Sequence, residues 1–298
     1  MTETSIRTDV PEAVPALGSL AALDKRRRRS LDERGQWGRF VLILIITAIV
    51  IIPILAVAYL STRPVTGLSP SAGGFSNFAW VVGNTNLIYW LENSLLITIA
   101  TVIVSVIVAA PAGYVISRVR NKWVSGYSLV LFIIQSLPVV TAIIPLFILF
   151  TGLHLVDTLG GVIIIYVGGT ISVATWMFAA YFDSIPVDLE EAAWIDGLSV
   201  AGSFLRVVLR NSLPGILSTA IFSFLLAWND YLVASVFLRS DVNLTLPVGL
   251  ESFFTQFGAD WGHIMTIAVV MMLPPIIVFA ALNRYFSIGG IGGSLAGR

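Results

Sequence analysis

Apolar residues in this chain fall in long uncharged runs separated by short polar segments. Six runs stand out: Phe40–Leu60, Asn93–Ser117, Trp123–Leu153, Thr158–Phe182, Asn211–Phe237 and Ile264–Asn283. The fifth is interrupted by a single acid, Asp230. A bilayer core of ~30 Å is crossed by about 20 apolar residues in a helix. The third run exceeds that, so its helix is placed at about 127–150. No run shows the alternation of a barrel strand, and in lipid only a helix or a closed barrel satisfies the backbone. The pattern predicts an all-α integral membrane protein with six transmembrane helices.

Charge sets the orientation of those helices. Fifteen of the 17 Lys and Arg residues lie in the N-terminal tail, in the segments after the second and fourth helices, and at the C-terminus. The other two are Arg63 and Arg239. Cytosolic loops carry the excess of Lys and Arg, so both termini and the segment 184–212 are expected in the cytosol. Residues 1–36 are polar and basic and read as disordered. Their "KRRRR" run could bind anionic lipid, although fixing the topology is role enough for it. "AVA" at 56–58 resembles a signal-peptide cleavage site, but the apolar core is longer than that of a signal peptide. The first helix is therefore read as an uncleaved anchor. The chain divides into a cytosolic tail (1–39), a first helix with its external loop (40–88), a main membrane domain (89–283) and a C-terminal tail (284–298). Phe75, Phe78 and Trp80 in the external loop read as an interfacial skirt.

Composition removes several classes of function. The chain is 57% hydrophobic and 11% charged, against about 25% charged in soluble domains. Net charge is zero, which disfavours nucleic acid as a partner, and there is no cysteine. The two histidines, His154 and His263, have no metal-ligand spacing. Neither lysine, Lys25 or Lys122, ends a Gly-rich phosphate loop. Any ATP that drives this protein must therefore be held by another chain. No arrangement of nucleophile and base is visible, and the clustered acids of 188–196 have no apolar pocket to tune them.

The segment "SIPVDLEEAAWIDGLSVAGSFLRVVLRNSLPGIL" (184–217) lies between the fourth and fifth runs. Pro186 suits a first helical turn, Asp188 can cap it, and Glu190 and Glu191 sit near the positive end of the helix dipole. Ala192 and Ala193 favour helix and permit close approach of another surface. Asp196 and Gly197 end the helix. Val200, Phe204, Val207 and Val208 recur at helical spacing, and Pro214 opens the fifth span. The reading is a helix–turn–helix that displays acids and small residues outward. A solvated connector would need only a few residues, so a protein-docking element accounts better for the length.

"EAAWIDG", residues 191–197, resembles the Glu-Ala-Ala motif of permease subunits of bacterial ABC importers: Glu-Ala-Ala, three residues, then Gly. Further blocks follow in order. "LENSLLITIATVIVSVIVAAPAGYVISR" (91–118), "LPVVTAIIPLFILF" (137–150), "FLLAWNDYLVA" (224–234), "TLPVGL" (245–250) and "LPPIIVFAALNRYFSIGGIGG" (273–293) resemble the maltose-permease-like, carbohydrate-uptake branch. The likeness implies a type I importer transmembrane domain at 89–283 in the bacterial inner membrane. It implies that Glu190, Glu191, Ala192, Ala193, Asp196 and Gly197 form a coupling helix that docks into a groove on ATPase subunits, which hold the ATP and Mg. It further implies a second, homologous permease subunit and an external sugar-binding protein. The family usually has Leu-Pro after the motif; here that pair falls on Leu209–Arg210, so the turn between the two loop helices is expected to differ.

Asp230 is the only acid inside a predicted span, and such residues line a path or bond a neighbouring helix. With Trp228 and Asn229 it offers a carboxylate, an amide and an aromatic plane, groups that suit a sugar. These three are the candidate translocation-path residues. Trp176, Tyr89 and Trp90 read as anchors near span ends. Gly168 and Gly169 are expected to allow close helix packing, and Pro138, Pro145, Pro274 and Pro275 to kink the third and sixth helices. Within transport, glycerol phosphate or a polyol remains open as the solute, although the spans carry no extra base for a phosphate. A self-contained secondary carrier would be expected to show internal repeats and more intramembrane acids.

Overall fold

The protein is described by a computed structural model covering residues 16–64, 72–255 and 258–295. Residues 1–56 and 57–298 form two separate units. Helix α1 (Ala16–Leu60), all but its last four residues in the first unit, carries the first apolar span, Trp37–Leu60. Helix thus begins inside the segment read as disordered, in a stretch rich in Ala, Leu and Arg, all good helix formers. Residues 1–15 lie outside the described residues.

The second unit is helical apart from one small hairpin. It contains α2 (Phe75–Asn84), α3 (Leu87–Arg118), α4 (Lys122–Ser136), α5 (Val139–Gly152) and α6 (Leu159–Asp183). Then come α7 (Asp188–Ile195), α8 (Val200–Ser203), a π-turn (Phe204–Val208) and α9 (Leu209–Asn211). The chain continues with α10 (Leu213–Trp228), α11 (Leu232–Phe237), a 3-10 turn (Asp241–Asn243), α12 (Leu246–Glu251), the β1–β2 hairpin (Phe254–Thr255 with Gly258–Ala259) and α13 (Trp261–Leu295). Among the described residues, four helices are long and apolar enough to cross a membrane. Two bent pairs bring the number to six if each pair counts as one span: α4 with α5, turned by 94°, and Val200–Asn211 with α10, turned by 78°.

The third run bends where Pro138 was expected to kink it, whereas the fifth run, expected as one helix, is broken in two. Leu137 and Pro138 separate α4 from α5 with extended backbone, ψ 123° and 125°. Proline lacks an N–H and pushes the residue before it away from helix. The fifth run holds α10 and α11 rather than one helix, because the chain leaves helical geometry between Asn229 and Tyr231. Pro145 lies within α5, and α13 continues through Pro274 and Pro275.

The centre of this unit is the packing of α3 along α6, with α10 against both. Where α3 runs along α6, the interior mixes large apolar side chains such as Ile97 and Phe178 with small hydroxyl residues. Ser94, Thr98, Thr101 and Ser105 are buried on α3, and Ser105 bonds Thr170 of α6 at 2.8 Å. Ile99, Ile103 and Ile107 of the same helix are exposed. In lipid, small residues let helices approach and hydroxyls bond across them, while large apolar side chains face the tails. Gly113 marks the closest approach: a Cβ there would lie 2.6 Å from the Phe178 Cβ. Gly168 and Gly169, expected to serve this purpose, are exposed with open space around them.

Candidate functional site

At the end of the unit where α3 and α6 finish, α7 lies as a short separate helix. No side chain caps it: Asp188, expected at the cap, is in the first turn, with Glu190 and Glu191 beside it. Gly197 ends the helix as expected, with φ +89°. Its N–H donates to Trp194 O at 3.0 Å, and the Leu198 N–H reaches back to Ala193 O at 3.0 Å. A left-handed residue just past a helix end is the position that favours glycine.

The two adjacent acids of the motif have different surroundings. Glu191 is exposed. Glu190 is wholly buried, which corrects the expectation that the acids all face outward. Its Oε1 accepts from Arg118 Nε at 2.6 Å and its Oε2 from the Tyr114 hydroxyl at 2.5 Å. The same arginine donates through Nη1 to Ser117 Oγ (2.8 Å) and Phe182 O (3.0 Å), and through Nη2 to Ile185 O (3.2 Å). The Phe182 carbonyl already accepts from the Ile185 N–H at 3.0 Å, and a cation suits the helix C-termini that meet here. Sequence reasoning missed Tyr114 and Arg118. Arg118 counted only as a topology charge, although it closes the block at 91–118.

Outward from this anchor, α7 and its flanks leave apolar side chains uncovered. Ile195 is 88% exposed, and Leu189, Trp194, Val200 and Leu205 are also exposed. Ala193 is buried, whereas Ala192, Asp196 and Gly197 are exposed. A cleft of about 550 Å³ beside the helix is lined by Arg118, Arg120, Asp183 and Trp194, among others. With Arg210 in place of proline, the backbone N–H is retained and the second loop helix runs on through the π-turn to Asn211, breaking only at Ser212 ahead of Pro214.

The three candidate path residues sit together at the α10–α11 break, in distinct roles. Trp228 is 2% exposed; its indole stacks on Phe224 with centroids 5.7 Å apart and donates to Met271 O at 3.1 Å. That leaves little of its ring for a solute. Asp230 accepts at Oδ1 from the Val233 and Ala234 N–H groups (3.0 and 3.2 Å) and from the Tyr166 hydroxyl (2.7 Å). It therefore caps α11 and ties it to α6. Asn229 is exposed, its amide donating to Leu225 O at 2.8 Å. Nearby, Tyr231, Leu250, Glu251, Phe254 and Met271 line a cleft of about 410 Å³, in which the Tyr231 hydroxyl donates to Glu251.

Trp90, expected as an interfacial anchor, is buried and bonds Asp241 O at 2.8 Å, and Trp80 stacks on His263 rather than standing free. Trp176 donates to Ser128 of α4 at 3.3 Å. No cluster of three or more metal-ligating side chains occurs among the described residues.

A helical membrane unit with a small detached helix at one end is the architecture of a transporter's permease subunit, and residues 105–287 match the family described as binding-protein-dependent transport system inner membrane component. The chain belongs to that family and is a multi-pass inner membrane protein. It is 34% identical over 208 residues to the inner membrane ABC transporter permease protein YcjP of Escherichia coli, covering 70% of this chain and 74% of that protein. It is 29% identical over 267 residues to the trehalose transport system permease protein SugB of Mycobacterium tuberculosis, covering 86% and 96%. The fold is similar to a chain of a bacterial ABC transporter involved in import of the acidic polysaccharide alginate, with TM-score 0.71 at 21% identity, over 86% of this chain and 97% of that one.

Proposed function

We propose that this chain is the membrane-spanning subunit of an ATP-driven importer for a sugar or oligosaccharide. Separate ATPase subunits hold ATP and Mg and dock on α7, which faces the cytosol together with both termini. A second, homologous permease subunit completes the translocation cavity, and an external binding protein delivers the solute. The observation that carries the reading is the combination at α7. The helix is pinned to the body through buried Glu190, while Ile195 and its apolar neighbours are left uncovered at a polar end of the molecule. Exposed apolar groups beside acids suit a protein partner. A sugar is supported by relatives whose names specify trehalose and arabinooligosaccharide transport. Asn229, exposed at the α10–α11 break, is assigned to the path, with Trp228 and Asp230 holding that break in shape.

Purification from native membranes in mild detergent, with mass identification of what accompanies the chain, tests the proposal. A phosphate-loop ATPase and a second multi-span permease are expected in the complex. A chain that purifies alone and transports in liposomes without ATP would overturn it in favour of a secondary carrier.

A further inference from the structure

We propose that Glu190, Arg118 and Tyr114 form the linkage that makes α7 move as one body with α3 and α6, so that they are positioning residues for energy coupling. This rests on the docking role proposed for α7 and deepens it. A helix of eight residues does not hold itself in water. Its covalent connections are the short stretch after Asp183 and the left-handed turn at Gly197. With those alone, a push on α7 from a partner would be spent in bending the connections.

The side chains supply what the backbone lacks. Both oxygens of the buried Glu190 carboxylate are taken up by α3, one by Arg118 and one by Tyr114. The planar guanidinium of Arg118 then reaches α6 through the Phe182 carbonyl and the connection to α7 through the Ile185 carbonyl. A rigid fork with several fixed donors can hold three elements at one point, which a flexible lysine ammonium cannot do in the same way. Ser117 closes the group, donating to Asp183 at 2.7 Å. Burial decides the assignment. With no exposed surface, Glu190 cannot touch a docked subunit, whereas Glu191, the next residue, can. The adjacent acids thus have divided roles, one gripping the permease and the other facing its partner.

The native chain has no cysteine of its own, so labels on this subunit go only where a cysteine is introduced. Spin labels at Asp188→Cys on α7 and Val119→Cys at the end of α3, in the full complex with its ATPase, report whether the two move together. The expected result is one distance, unchanged between the nucleotide-free and ATP-trapped states. In Glu190→Gln, and in the milder Tyr114→Phe that removes one hydroxyl and leaves the ion pair, the distance should spread. ATP consumed per solute imported should rise severalfold while the complex still assembles. A merely structural role would lower yield or stability without moving either readout. A native distance that changes on ATP trapping, or variants that keep native transport per ATP, overturn the linkage alone. A native chain that binds no ATPase overturns the docking reading and this one with it.

Discussion

At the residue scale, glycine, glutamate and aspartate in this chain are defined by what surrounds them. Gly197 stands at φ +89° with open space about it, so a side chain would meet no clash but would strain the backbone by roughly 1–2 kcal/mol. Gly197→Asp is expected to insert normally and to lose most solute uptake, because the turn that ends α7 would be displaced. Normal uptake in membrane vesicles would sink the coupling role of this turn. Asp230 accepts three hydrogen bonds, two from the N–H groups that begin α11 and one from Tyr166 of α6. Losing a helix cap costs about 0.5–2 kcal/mol. Asp230→Ala is thus expected to lower the melting temperature of the purified complex while leaving the apparent affinity for solute unchanged. An affinity change at native stability would instead place the carboxylate in the path.

At the element scale, the connections are held as firmly as the spans. Asp157, in the turn between α5 and α6, has φ +60°. It accepts from the Arg239 and Ser240 N–H groups at 2.9 and 3.0 Å, from the Asn243 amide at 3.2 Å and from the Ser240 hydroxyl. Burial works to raise its pKa, but the hydrogen bonds outweigh it and hold the group at about 2, below the usual 3.8. A carboxyl lowered on folding adds stability that is complete above its ordinary pKa and is lost as pH falls through the folded value. Hydrogen exchange at the Arg239 and Ser240 amides should therefore stay protected at pH 5 and lose protection, relative to intrinsic rates, between about pH 4 and 2. Protection that persists at pH 2 would show that the carboxylate does not hold this turn. The Tyr181 ring shows a second kind of element contact: a Cβ on Gly215 would fall 2.3 Å from it, so α10 meets α6 only because residue 215 has no side chain.

At the scale of the whole molecule, the second unit buries small hydroxyl residues beside aromatic and aliphatic ones such as Phe178 and Phe237, and leaves many large apolar side chains outside. Ser105, Thr170, Ser172 and Thr175 are buried, and Ile144 and Ile148 are exposed. The hydrophobic effect that drives a soluble core is missing between helices in lipid, so close packing and hydrogen bonds hold them together. The same arrangement explains why function is placed at the ends and breaks. Charge is tolerated where the chain leaves the bilayer, as at Arg118 and Glu190, and non-helical backbone needs internal partners, as Asp230 supplies. The assembly proposed around this chain suits that arrangement, since α7 leaves Ile195 and its apolar neighbours uncovered for a partner.

The sequence by itself determined the class of this protein. Long uncharged runs and a charge deficit define a membrane protein whatever the packing, and the lack of strand alternation leaves helices rather than a barrel to satisfy the backbone in lipid. The "EAAWIDG" motif, its glycine turn and the family could be read from residue order alone, since each depends on local backbone geometry and spacing. Tertiary structure decided which side of each residue meets what. Glu190 and Glu191 are neighbours of identical chemistry, and only the approach of Tyr114 and Arg118, more than seventy residues earlier, buries one and leaves the other exposed. Pro138 signalled a kink, but its 94° extent depends on how α4 and α5 each pack. Gly113 rather than Gly168 marks the close contact because the facing residue, Phe178, lies on another helix. Contacts between residues distant in sequence are set by the packing of whole helices, and no local pattern encodes them.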